Sequence, residues 1–380
     1  MTPPSPGPAQ RLDGVLNPVI PELGSLVRAT PGTLSLAQGM VGWGPPREAL
    51  ATLAAAGKAV GAADPTRDAY GPVQGDPELL AMLAVALGQE QGIDLHGADL
   101  WVTAGSNMAF NAIAQVLCDG PPASCTAITP RTRAIVTVSP NNPSGVVMPR
   151  PVLEAINPLC ASHGLLHISD EAYGQFVYGA EPHWSPGSLP GAAAHTVTLQ
   201  SLSKAYGMAG WRVGFMAAPA AFTAALAKVQ DTLLICPPRL IQRAAGAALQ
   251  AGPAWCRPRI AALAERRTQL LAAVADARNQ GLPVRLLAEP DGAFYGLLAL
   301  DPAATRQSAT GGLNGDTLMR RLVLEHRVAA VCGESFGYPA AEPVLRLSYG
   351  LLGPAELEEA LSRLVAGIRA LLAAPGPSAP

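Results

Sequence analysis

Two short apolar runs, at 196–200 and 212–216, read as strands, and between them lies a loop of small residues, Ser201-Leu202-Ser203-Lys204-Ala205-Tyr206-Gly207-Met208-Ala209-Gly210-Trp211. Such a strand–loop–strand unit constrains the fold, because a loop rich in serine and glycine can be held at the end of a sheet and can bring its backbone close to a ligand. The loop also contains a residue that the chain otherwise avoids. Lysine occurs only at Lys58, Lys204 and Lys228, and the other 23 basic residues are arginine. Arginine stays protonated, whereas lysine can lose its proton, act as an amine nucleophile and later carry a proton. Lys58 and Lys228 sit in alanine-rich helical patterns and read as surface lysines. Lys204, flanked by Ser201 and Ser203 and followed by Arg212, reads either as a loop lysine or as a reactive amine beside donors that suit a phosphate.

At 380 residues and 49% hydrophobic, the chain can bury one large core and a second smaller one. A net charge of −2 gives no reason to expect nucleic acid or an anionic membrane as partner. The six cysteines, Cys118, Cys125, Cys160, Cys236, Cys256 and Cys332, form no Cys-x-x-Cys pair and read as reduced, packed thiols of a cytosolic protein rather than a disulfide frame or metal site. Residues 1–10 are proline-rich and lack the charged and apolar regions of a signal peptide. No apolar run is long enough to span a bilayer.

Elsewhere, apolar runs alternate with helical patterns, the signature of an α/β fold. An extended segment at 34–40 ends in a turn at Gly39. A helix is predicted over 47–60, and another begins with Asp76 as N-cap and Pro77 at its first position. The strand Trp101-Val102-Thr103 breaks at Gly105 and a helix follows, so Gly105, Ser106 and Asn107 present free amides where an anion is favoured. Any strand-to-helix turn shares that pattern. A strand at 134–138 runs into Ser139-Pro140-Asn141-Asn142-Pro143-Ser144-Gly145, a turn-forming string. A helix at 151–162 precedes a strand at 165–169 and then Asp170-Glu171-Ala172-Tyr173. Asp170 at the end of a parallel strand lies where α/β sheets bind ligands, although it also reads as a helix N-cap. His167 reads as a core residue. Helices are predicted over 220–231, 240–249 and 258–278. Beyond Gly281 come shorter strands, 284–287, 292–297 and 344–349, with helices at 316–326 and 356–372. Arg346 lies on the 344–349 strand between leucines, a pattern open to a solvent-facing arginine.

The lysine loop, the glycine turn at 105–107, the Asn142-Pro143-Ser144-Gly145 string, the Asp170-x-x-Tyr173 pair and Arg346 occur together in an order that resembles the fold-type I pyridoxal-phosphate (PLP) enzymes, specifically the class I/II aminotransferases. The resemblance covers nearly the whole chain. It implies an α/β fold with a mostly parallel sheet flanked by helices as a large PLP-binding domain (46–275), and a smaller α+β domain formed by the N- and C-terminal parts (13–45 and 276–373). The tails 1–12 and 374–380 are expected to be disordered. It further implies that Lys204 carries PLP as a Schiff base and moves a proton, that Asp170 pairs with the pyridine nitrogen, and that Asn142 and Tyr173 donate to the phenolate oxygen. Gly105, Ser106, Asn107, Ser201, Ser203 and Arg212 would hold the phosphate, and Arg346, with Gly39 and Asn142, the substrate carboxylate. Tyr70, in Tyr70-Gly71-Pro72-Val73-Gln74-Gly75, would reach the phosphate of the other subunit of a homodimer with shared active sites. Its other reading is a buried core tyrosine. No metal is expected.

The chain departs from the family after the phosphate loop. It passes from Cys118-Asp119-Gly120 through Pro121-Pro122-Ala123 almost directly to the strand at 134–138, and several tens of residues that relatives use for two strands and a stacking aromatic are absent. The 134–138 strand is therefore expected to be an exposed sheet edge. The implied activity is transfer of an amino group from an L-amino acid to a 2-oxo acid, in the cytoplasm. Two rival readings are a PLP-dependent C–S β-lyase and a truncated, inactive family member. Asn107 occupies a slot in which some relatives acting on aspartate or prephenate carry lysine, which argues against a dicarboxylate specialist, and Gln38-Gly39 and the Cys236-Pro237-Pro238 turn resemble the broad aromatic, glutamine or methionine aminotransferases.

Overall fold

A computed structural model describes residues 18–58, 64–118, 128–179, 182–307 and 313–373. Both predicted tails, Cys125 and the shortened stretch around 119–127 lie outside the described residues. In chain order the strands are β1 (Leu34–Ser35), β2 (Ala98–Thr103), β3 (Ala134–Val138), β4 (Leu166–Asp170), β5 (Thr196–Ser201), β6 (Gly214–Pro219), β7 (Val284–Leu286), β8 (Tyr295–Leu300), β9 (Val328–Ala329), β10 (Val331–Cys332) and β11 (Val344–Ser348).

The main sheet has the order β2-β6-β5-β4-β3. β3, β4 and β5 pair parallel, while β6 runs antiparallel to both β5 and β2. Four of the five strands therefore share a direction, as the resemblance implied. The reversal of β6 has a geometric consequence. The carboxyl ends of β2, β3, β4 and β5 and the amino end of β6 meet at one rim, so the loops after Thr103, Val138, Asp170 and Ser201 and the residues before Gly214 converge there. In open α/β sheets this rim is where ligands bind.

Both faces of the sheet are covered, and the period-2 alternation of a strand divides its side chains between them. Trp101 joins Ile113, Leu199, Met216 and Leu226 under the helices Ser106–Leu117 and Thr223–Leu234. The next residue, Val102, joins Leu79, Leu83 and Leu87 of the helix Pro77–Gln91 on the other face. β3 pairs only with β4 among the described residues, and Val136 is 47% exposed. The expected open edge is present.

A second, antiparallel sheet has the order β10-β11-β8-β7 and sets Arg346 of β11 opposite Leu297. β1 pairs parallel with β9, and the chain after it is pinned by Leu36 N–H to the Ala329 carbonyl, Ser348 N–H to Leu36, and Gly42 N–H to Gly350. These bonds bring residues 36–42 beside β11 and over the main rim.

Several local readings need correction. The two helices predicted at 240–249 and 258–278 are present, separated within the run Arg239–Asn279 by the non-helical Gly252 at φ 64° just before Pro253, and only their bounds differ. The strand predicted from Arg212 begins at Gly214, because Arg212 has φ 54° and belongs to the loop. The helix predicted at 220–231 starts three residues later, as Thr223–Leu234. Asp76 occupies the N-cap position, but its side chain makes no cap and instead accepts from Arg239 Nε at 3.1 Å. Cys118 is exposed rather than packed, while Cys160, Cys256 and Cys332 are buried.

Candidate active site

A cavity of about 320 Å³ opens at the convergent rim, lined by Ser106, Asn107, Asn142, Asp170, Tyr173, Ser201, Ser203, Lys204 and Arg212 among others. One end is built for an anion. Gly105, at φ 88°, is the N-cap of the helix Ser106–Leu117 and no side chain caps that helix, so the amides of Ser106 and Asn107 lack intrahelical acceptors, while Met108 N–H donates to the Gly105 carbonyl. Arg212 reaches across to the same turn, its Nη2 donating to the Ala104 carbonyl at 3.0 Å. It has no carboxylate partner among the described residues. A Cβ on Gly105 would displace its guanidinium, and the positive φ itself favours glycine here. Ser201 and Ser203 complete this end, with Ser203 N–H donating to Ser201 Oγ at 3.1 Å.

At the middle of the cavity stand two charged groups that do not pair with each other. Lys204 Nζ donates to the Gly39 carbonyl at 2.6 Å, and its pKa is pushed down to about 8, first by burial and then by the nearby cations Arg346 and Arg212. Asp170 accepts from the Ala172 N–H at 3.1 Å and has no cationic partner among the described residues. Burial raises its pKa, with the Glu171 carboxylate adding to the shift. Such a carboxylate suits a cationic ligand atom.

Beyond them Tyr173 is buried, its hydroxyl 2.9 Å from that of Tyr295 and 3.5 Å from Asn142 Nδ2. The Asn142 turn is shaped by its neighbour. The side-chain oxygen of Asn141 accepts from Ser144 N–H and Oγ, and Gly145 at φ 76° packs so closely on β8 that a Cβ would collide with the Tyr295 carbonyl. Arg346 is 5% exposed, which excludes the solvent-facing reading. Its Nη1 donates to Asn142 Oδ1 at 3.0 Å and its Nη2 to the Ala37 carbonyl at 2.5 Å, while its buried Nε has no partner. Its guanidinium lies between rings, 4.7 Å from the centre of Tyr295 and 5.1 Å from that of Phe336. A buried guanidinium held only by neutral oxygens retains its capacity for a carboxylate.

Of the residues singled out in the sequence, all but Tyr70 gather here. Tyr70 is 78% exposed, which removes its reading as a core residue, and it does not line this cavity. His167 is fully buried and bonded to Thr137 and Asn157, away from the site. Sequence reasoning missed Tyr295, Phe336 and the carbonyls of Ala37 and Gly39. Tyr295 lies in the apolar string Phe294-Tyr295-Gly296-Leu297 and looks like core, and a backbone acceptor leaves no trace in residue type.

A family model described as aminotransferase class I and II matches residues 121–364. The chain belongs to that family. The arginine–pyruvate transaminase AruH of Pseudomonas aeruginosa is 40% identical over 238 residues, which cover 62% of this chain and 56% of that protein. The aromatic aminotransferase ISS1 of Arabidopsis thaliana is 30% identical over 409 residues, covering 96% and 97% of the two chains. A double mutant of the Thermus thermophilus aspartate aminotransferase superposes with a TM-score of 0.80 at 26% identity, over 95% of this chain and 100% of that one. The fold is thus that of the fold-type I enzymes, and the family's cofactor is pyridoxal 5′-phosphate. The residues present fit that group. The uncapped helix and unpaired Arg212 suit a phosphate, the unpaired Asp170 a protonated ring nitrogen, and the Lys204 amine an aldehyde carbon. No helix among the described residues is long and apolar enough to cross a membrane.

Proposed function

We propose that this aminotransferase moves an amino group from an L-amino acid to a 2-oxo acid, with Lys204 as the amine that holds PLP covalently and then acts as the base at the substrate's Cα. The observation that carries this reading is a buried lysine with its pKa pushed down to about 8, in one cavity with an unpaired carboxylate and close to a guanidinium that has no anionic partner. Neutral amine is the form that attacks an aldehyde or takes a proton, and burial raises its share near neutral pH well above that of an ordinary lysine. Bound PLP supplies a pyridinium ring that accepts the electron pair left when Cα loses its proton. Asp170 keeps that ring nitrogen protonated. Gly105, Ser106, Asn107, Ser201, Ser203 and Arg212 bind the phosphate, and Asn142 and Tyr173 donate to the phenolate oxygen. Arg346 takes the α-carboxylate, with Gly39 lining the substrate side.

The donor in this reading is a broad-range amino acid rather than a dicarboxylate, since the first-turn residue Asn107 is uncharged. The relatives named for arginine, aromatic amino acids and aspartate show how widely donors vary on this scaffold. The active unit is a cytoplasmic homodimer in which the exposed Tyr70 reaches the phosphate site of the partner subunit. Residues 46–275 would form the cofactor domain and 13–45 with 276–373 the smaller one, a division supported by their separate sheets.

The test uses 15N-labelled donor amino acids with an unlabelled 2-oxo acid. Label appearing in the amino acid made from that oxo acid supports the reading. Pyruvate and ammonia released from cystathionine without any oxo acid would replace it with a C–S lyase, and neither reaction with PLP retained would mean an inactive member.

A further inference from the structure

Tyr295 is fully buried on β8 and touches both halves of the site. Its hydroxyl is 2.9 Å from the Tyr173 hydroxyl, and its ring lies 4.7 Å from the Arg346 guanidinium. Gly39 closes around it from the lysine side, for a Cβ there would sit 2.5 Å from the Tyr295 hydroxyl. We propose that Tyr295 is a positioning residue that couples cofactor to substrate: its hydroxyl orients the Tyr173 hydroxyl, and its ring is the platform for Arg346. The inference rests on the roles proposed above for Tyr173 and Arg346.

The chemistry follows from donor order. A Tyr173 that gives its proton to a ligand oxygen still has lone pairs free to accept, and the Tyr295 hydroxyl at 2.9 Å is a nearer donor to them than Asn142 Nδ2 at 3.5 Å. Burial raises the pKa of Tyr295 well above the ordinary tyrosine value, so it retains a proton to give. Hydrogen bonds in series strengthen one another, and the first makes Tyr173 a better donor. A better donor to a phenolate favours its anionic form and lowers the pH at which the bound cofactor titrates. The ring acts separately, since a guanidinium over an aromatic face is held in plane and in place without consuming its N–H groups.

Two variants separate these roles. Tyr295→Phe retains the ring and removes the hydroxyl. With PLP bound, the midpoint of the pH titration of its visible absorption should rise by about half a pH unit to one pH unit, with donor KM nearly unchanged. Tyr173→Phe should shift the midpoint the same way and further. Tyr295→Ala removes the platform as well, and should add a rise of about tenfold in donor KM. Gly39→Ala should reproduce the shift of Tyr295→Phe by displacing the hydroxyl, and the two together should shift no more than either alone. An unmoved midpoint in Tyr295→Phe, in protein whose wild type shows a lysine-dependent band, overturns the inference and leaves the aminotransferase reading standing. A wild-type protein without that band removes both.

Discussion

β4 carries His167, fully buried, and Asp170, half-buried, three positions apart on opposite faces, and their surroundings differ in kind. Around His167 every group is answered. Asn157 Nδ2 donates to His167 Nδ1 at 3.1 Å, His167 Nε2 lies 2.9 Å from Thr137 Oγ1, Asn157 Nδ2 also donates to Thr196 Oγ1 at 2.8 Å, and His195 Nε2 donates to Asn157 Oδ1 at 2.8 Å. Around Asp170 the charged groups are left open among the described residues: Asp170 lacks a cation, Lys204 hydrogen-bonds a carbonyl but no anion, and Arg346 Nε has no partner. A closed network of neutral groups stabilises a fold, whereas buried charges without partners cost stability and persist where a ligand completes them. Depth in the sheet does not distinguish a site from a scaffold. Several unpartnered charged groups converging on one cavity do, since single unpartnered atoms such as Arg266 Nε and Glu334 Oε2 also occur elsewhere.

Four substitutions or titrations sharpen that contrast. Asp170→Asn should lower kcat by about 10³-fold while thermal stability holds or rises, because a half-buried carboxylate without a cation is removed without changing its shape. A loss of stability comparable to the loss of rate would place Asp170 in the scaffold. Asn157→Ala should do the reverse. It strands His167, His195 and Thr196, and chemical denaturation should show a loss of about 3–4 kcal/mol with the activity of the folded fraction intact.

The third contrast is in pH. Burial pushes His167 down to about 4 from its ordinary 6.5, so the folded protein binds this proton less readily than the unfolded chain. The stability held by neutral His167 is complete above pH 6.5 and drains as the pH falls toward 4. Over that window the wild type should lose about 2–3 kcal/mol through this group. His167→Gln should flatten the slope, and an unchanged slope would remove His167 as its source. Arg346→Lys is the mildest change. It keeps the charge, loses the two-pronged geometry, and should raise donor KM by about tenfold to thirtyfold with an unaltered melting temperature.

Much of this was legible in the chain. The α/β alternation gave the order of the elements, and each loop at the rim had its own signature: glycine before the helix at Ser106, the proline–asparagine string at Asn142, an acid closing β4 and a rare lysine after β5. What the residues could not reveal was direction and closure. The antiparallel run of β6, which turns Arg212 back toward Gly105, depends on pairing across the sheet. The Ala37 and Gly39 carbonyls reach Arg346 and Lys204 through tertiary hydrogen bonds at Leu36, Gly42 and Ser348. Tyr295 was hidden because an aromatic on an apolar strand has the same pattern whether it packs or positions. Arg346 shows the opposite limit, since alternation alone placed it on either face and burial decided.

The measurement that bears most directly on the open cluster as an active site is the visible absorption of the purified protein with added PLP, beside Lys204→Ala. The account predicts a yellow band that requires Lys204, forms faster as the pH rises through about 8, and bleaches when an amino acid donor is added. A band of equal strength in Lys204→Ala, or none in the wild type, would contradict it.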